Sequence, residues 1–146
     1  NTSAILNKNL LSELIIYFGS QAIIGSIDVK KNFFGVYDVY SHCGQKKTSL
    51  NLLNWARELE QIGVGEILLT SINQEGTWKG FDIPLIKSIT SQTNIPLIAH
   101  GGAGKIEHIK EAAFEGNSSA IALGSMVVYQ KKDMGVLINF PDAIRV

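Results

Sequence analysis

A single cysteine, Cys43, stands among 146 residues, so the chain closes no disulfide on itself. That usage suits a reducing compartment, and a cytoplasmic location is expected. Charge is scarce as well: 18% of residues are charged and the formal net charge is zero. Nothing here draws the chain to nucleic acid or to an anionic membrane, and neither partner is expected. Long apolar runs are missing; the cleanest, residues 121–128, is strand-sized and broken by Gly124 and Ser125, far short of the ~20 residues of a membrane span. The start, Asn1-Thr2-Ser3, has no basic segment and no initiator Met, so no signal peptide is expected, and the chain reads as processed or truncated.

What is present is apolar: 45% of residues are hydrophobic, enough to bury a core. Strand and helix signals alternate. Leu10, Leu11, Leu14, Ile15 and Phe18 recur at helical spacing up to Gly19. Residues 22–27 read as a buried strand ending at Asp28, and residues 30–32 as a polar turn. Residues 35–40 alternate with aromatics and predict a short strand paired to its neighbour. A helix is predicted over residues 50–62 with Ser49 as N-cap, a strand over 66–70, and a helix over 82–90 with Pro84 near its start. A strand over 96–99, a helix over 107–115 closed by Gly116 and a strand over 119–123 complete the series.

Repeated strand–helix units with continuous apolar strands predict a parallel sheet covered by helices, an α/β fold. Two architectures compete, an open doubly wound sheet and a closed barrel. No Gly-x-Gly-x-x-Gly follows a strand, and no cofactor is expected. Each principal strand ends in polar residues or glycine: Asp28, Thr70-Ser71, His100-Gly101-Gly102 and Gly124-Ser125. (β/α)8 barrels place their sites at such ends. Four principal strands do not close an eight-stranded barrel, so residues 1–146 read as one domain, half of a TIM-type phosphate-binding barrel.

The candidate chemistry lies at those ends. Asp28 is placed to exchange protons with a bound substrate, or else to cap a turn before Lys30-Lys31. Gly101-Gly102-Ala103-Gly104, between a strand and a helix, lets backbone N–H groups approach a phosphate, and Gly124-Ser125 ends the next strand. The competing reading is two ordinary strand-to-helix turns. Residues 75–80 form a glycine-punctuated loop long enough to fold over a ligand, with Lys79 solvated. His100 lies beside the glycine run and either binds substrate or satisfies a backbone carbonyl. His108 is expected on a solvent-facing helix side. His42 and Cys43 stand near Asp38, but a metal centre needs more ligands, and none is expected.

These residues resemble a known family. Leu68-Leu69-Thr70-Ser71 followed by Gly76-Thr77 and Gly80-Phe81-Asp82 is similar to a signature stretch of the cyclase subunit of imidazole glycerol phosphate synthase. So are Ile98-Ala99-His100-Gly101-Gly102-Ala103-Gly104, Asn54-Trp55-Ala56-Arg57, Gly63-Val64-Gly65-Glu66-Ile67 and Phe18-Gly19-Ser20-Gln21 before Ile27-Asp28. The resemblance implies the C-terminal half of a (β/α)8 barrel, starting at the end of the fourth strand. It implies an ammonia-dependent lyase of histidine biosynthesis that closes an imidazole ring on a bis-phosphorylated ribotide. A glutaminase subunit supplying ammonia and the absent N-terminal half-barrel are the implied partners.

Carried over by position, Asp28 is the second-half acid–base aspartate. Gly102, Gly124 and Ser125 match one phosphate site, Gly76 the loop beside it, and Asn1 and Thr2 the region of the other phosphate. Thr70 and Ser71 match pocket-lining residues, and Glu66 a charged residue at the ammonia entrance. Gly101 and His100 join the expected substrate site. Three departures stand out: Asn73 and Glu75 where the family usually has aspartates, His100 where it usually has serine, and residues 134–141 in place of a final amphipathic helix. Such changes resemble paralogues associated with surface-polysaccharide genes, which implies an alternative role in delivering ammonia to a sugar. A non-catalytic phosphate-binding half-barrel is the third reading.

Overall fold

The computed structural model describes residues 1–129 together with Gly135 and Val136. The predicted tail over 134–141 otherwise falls outside the described residues; within it, Val136 bridges Tyr129. The elements run α1 (Thr2–Leu6), α2 (Lys8–Phe18), β1 (Ile24–Lys31), β2 (Tyr37–Ser41), β3 (Lys46–Asn51), α3 (Leu52–Ile62), β4 (Glu66–Ser71), α4 (Ile83–Thr90), β5 (Leu97–His100), α5 (Ile106–Lys110), β6 (Ala120–Ala122) and α6 (Ser125–Val128). A π-helical turn, Glu111–Glu115, continues α5 up to Gly116.

The sheet has six strands in the order β3-β2-β1-β4-β5-β6. β1, β4, β5 and β6 are parallel, as the alternating strand and helix signals require, and β2 and β3 fold back as an antiparallel ribbon on β1. β3 was not foreseen. Its sequence, Lys46–Asn51, is polar and mostly exposed, and its pairing with β2 makes it a strand.

Alternation sorts the strands into two faces. Ile27 and Val29 of β1, Ile67 and Leu69 of β4, and Leu97 and Ala99 of β5 are buried in one cluster with Trp55, Ala56 and Leu59 of α3 and Leu85, Ile86 and Ile89 of α4. A Cβ on Gly25 would lie 3.1 Å from Leu59, which places the odd positions of β1 against α3. The even positions, Ser26, Asp28, Leu68, Thr70, Ile98 and His100, share the opposite face and are half-buried. In a closed (β/α) barrel that face is the interior.

Several boundaries differ from the sequence reading. β1 starts at Ile24 and runs through Asp28 to Lys31, so Lys30 and Lys31 belong to the strand. The turn that follows is organised by Asn32, whose Oδ1 accepts the N–H groups of Phe34 at 3.0 Å and Val36 at 3.1 Å. α3 is capped by Asn51, whose side chain accepts Asn54 N–H, and not by Ser49, which lies within β3. Asp82 caps α4, accepting Leu85 N–H at 3.1 Å, with Pro84 in the first turn as expected.

Candidate functional site

Asp28, Thr70, His100 and Ala122 occupy one row across the four parallel strands, each paired in register with the next. With strands about 4.8 Å apart, Asp28 lies about 10 Å from His100 along that row. The three polar side chains alternate out of phase with the buried positions on either side, so they share a face. Asp28 is therefore not a turn cap: it sits inside β1, four residues before the turn.

Thr70 Oγ1 lies 3.2 Å from His100 Nδ1, and His100 Nε2 lies 3.4 Å from Glu75 Oε2. The imidazole is thus held between β4 and the loop of residues 72–82. That loop is fastened at both ends. Asn73 Oδ1 accepts Lys31 N–H at 2.7 Å, and its Nδ2 donates to Lys31 C=O at 3.4 Å. An ionised aspartate has no donor for the second bond, which gives the amide at this position a physical role. At the other end Gly80 N–H donates to Gly102 C=O at 2.8 Å.

Gly101 and Gly102 adopt φ of +95° and +114°. Their missing side chains leave room for the loop: a Cβ on Gly101 would lie 2.8 Å from Ser71 O, and one on Gly104 2.3 Å from Trp78 O. The glycine run is required by loop packing whatever else it does. Gly76, His100, Gly101, Gly102, Gly124 and Ser125, with Glu75 and Ala122, line one concavity at the ends of β5 and β6.

Other expected residues lie elsewhere. Ser71 is 5% exposed and points to the helix side by alternation, away from Thr70. Thr2 sits across the sheet, its Oγ1 accepting His42 N–H at 2.8 Å at the β2–β3 turn. Asn1 is not among the residues that line the glycine pocket. The Asn1 side-chain amide is buried with neither oxygen nor nitrogen paired. Glu66 opens β4 on the face of Thr70, about 13 Å along the strand from it.

The structure corrects the reading of His108. It is buried at 8% exposure, and its Nδ1 accepts Gly104 N–H at 3.2 Å. His42 and Cys43 form the hairpin turn with positive φ, and no cluster of three metal-ligating side chains occurs among the described residues. Lys79 is exposed as expected. Glu75 was read only as a departure within a loop; its approach to His100 depends on how that loop folds back.

A helix-backed parallel sheet with a polar row and a glycine-lined pocket at its C-terminal strand ends defines part of a (β/α) barrel. The chain belongs to the histidine biosynthesis protein family, whose profile it matches over residues 1–133. It is 42% identical over 142 residues to the putative imidazole glycerol phosphate synthase subunit hisF2 of Pseudomonas aeruginosa, covering 97% of this chain and 57% of that protein. It is 40% and 41% identical, each over 131 residues, to imidazole glycerol phosphate synthase subunit HisF of Alkaliphilus metalliredigens and of Prosthecochloris aestuarii, covering 90% of this chain and 52% of each relative. The chain spans about half the length of the curated relatives it matches.

Proposed function

We propose that this chain supplies the C-terminal half of an imidazole glycerol phosphate synthase cyclase subunit, acting in the cytoplasm within a full barrel. The observation that carries this reading is the row Asp28–Thr70–His100, continuous with the pocket formed by Gly102, Gly124 and Ser125. Asp28 is the acid–base group contributed by this half, and a carboxylate from the other half is its counterpart. The pocket takes one phosphate of a bis-phosphorylated ribotide, with Gly76 and Gly101 beside it. Thr70 positions His100, and Glu66 marks the end of the sheet at which a glutaminase subunit delivers ammonia. Asn1 and Thr2, on the β1 side, belong to the region of the second phosphate, about two strands from the first. Ser71 contributes through its backbone: its C=O accepts the N–H groups of Gln74 at 3.1 Å and Glu75 at 3.0 Å and so shapes the loop.

A second reading, ammonia delivery to a sugar in surface-polysaccharide synthesis, is favoured by the imidazole of His100 in the pocket. An ammonia-dependent assay of the full-length protein with both substrate classes separates the two. Asp28→Asn is expected to lower turnover by at least about 10²-fold, the contribution of one positioned acid–base group, while inorganic phosphate binding persists. Near-full rates for Asp28→Asn with both substrates would overturn the assignment, and phosphate binding without turnover of either would leave a non-catalytic half-barrel.

A further inference from the structure

The pocket at the ends of β5 and β6 has no lysine or arginine in its lining among the described residues. It has one acid, Glu75, and one imidazole, His100, a side-chain type that can carry either zero or one positive charge. With a neutral imidazole the lining carries the negative charge of Glu75, which opposes an anion. With an imidazolium that charge is balanced, and backbone N–H groups are left to attract the ligand.

The geometry suits a switch between these states. His100 is 28% exposed and anchored by Thr70, whereas Glu75 is 47% exposed on a loop. In the neutral tautomer with its proton on Nε2, which lies 3.4 Å from Glu75 Oε2, Nδ1 accepts the Thr70 hydroxyl proton. In the imidazolium Nδ1 donates to the same oxygen. A hydroxyl serves both roles, so Thr70 fixes the ring in either state. Glu75 stands where an anion would meet Nε2–H.

We infer that His100 is a proton-linked, specificity-determining anion ligand. A phosphate-class dianion displaces Glu75 from Nε2–H, and the pocket takes up a proton on His100 as the anion binds. This rests on the phosphate-pocket reading given above. The charged groups of the surrounding elements are few. β4 contributes Glu66 at its far end. The loop contributes Glu75, Lys79 and Asp82, the last committed to Tyr37. Residues 101–105 contribute Lys105, and β1, beyond β4, contributes Asp28 and Lys30. β6 and α6 contribute none. Glu75 alone lies within ion-pair distance of the imidazole among the described residues.

Sulfate is the probe, because it stays a dianion through neutral pH and any pH dependence belongs to the protein. Its binding to the full-length protein is followed by calorimetry and by NMR of the assigned His100 ring. Binding is expected to weaken by about tenfold between about pH 6 and about pH 8, with the His100 titration moving to higher pH when sulfate is added. His100→Gln should bind sulfate with a flat pH profile, and Glu75→Gln should bind it more tightly than wild type at about pH 8. Equal wild-type affinity at both pH values, or a His100 titration that ignores sulfate, overturns the inference and leaves the pocket reading standing. Absence of sulfate binding at either pH overturns both.

Discussion

Gly80 and Gly102 meet backbone to backbone. Gly80 N–H donates to Gly102 C=O at 2.8 Å, and a Cβ on Gly102 would stand 2.1 Å from Gly80 O. The loop carrying Glu75 and the pocket carrying Gly102 are therefore one packed unit, and contacts made for stability also set the shape of the candidate site.

Gly102→Ala should be costly on two counts. The methyl overlaps Gly80 O, and φ at +114° is unfavourable for any side chain. A loss of about 2–4 kcal/mol is expected in urea unfolding, with the Gly80 amide losing protection from hydrogen exchange. Wild-type stability for this variant would show that the loop does not pack as described.

Tyr37 and Asp82 tie the β2 ribbon to α4. Tyr37 O–H donates to Asp82 Oδ1 at 2.8 Å, and the same oxygen accepts Leu85 N–H at the helix start. Burial, and then the Asp82 carboxylate, hold the Tyr37 phenol well above its ordinary value. The folded state thus holds this proton more tightly than the unfolded chain. The resulting stabilisation is complete below the unfolded tyrosine value of about 10 and is lost as pH rises from there towards the folded value. Tyr37→Phe should cost about 1 kcal/mol at neutral pH and reduce the alkaline fall in stability. Asp82→Ala should cost more, about 2 kcal/mol, because it also removes the α4 cap. Identical alkaline limbs for wild type and Tyr37→Phe would contradict the bond.

His108 supports the glycine run from below by accepting Gly104 N–H. Its replacement by alanine removes a buried acceptor and leaves a void beside Gly80, where the ring comes within 3.4 Å of a would-be Cβ. His108→Ala should lose about 2 kcal/mol and speed exchange of the Gly104 amide. An unchanged exchange rate at Gly104 would count against this support.

By itself the sequence determined the class of fold and the places where chemistry gathers. Helical spacing in Leu10, Leu11, Leu14, Ile15 and Phe18 marks α2, and short apolar runs ending in polar residues mark the parallel strands; these signals are local, because period and burial are written into neighbouring residues. Tertiary structure decided what depends on partners far along the chain. Lys46–Asn51 is a strand because β2 offers it a pairing edge. His108 lies in a charged stretch with Glu107, Lys110 and Glu111, yet it is buried because the glycine run folds onto it. The common register of Asp28, Thr70 and His100, and the placement of Glu75 against His100, arise from strand pairing and loop packing between segments far apart in sequence. Hydrogen bonds and steric fit between such distant segments decide those relationships, and no local periodicity encodes them.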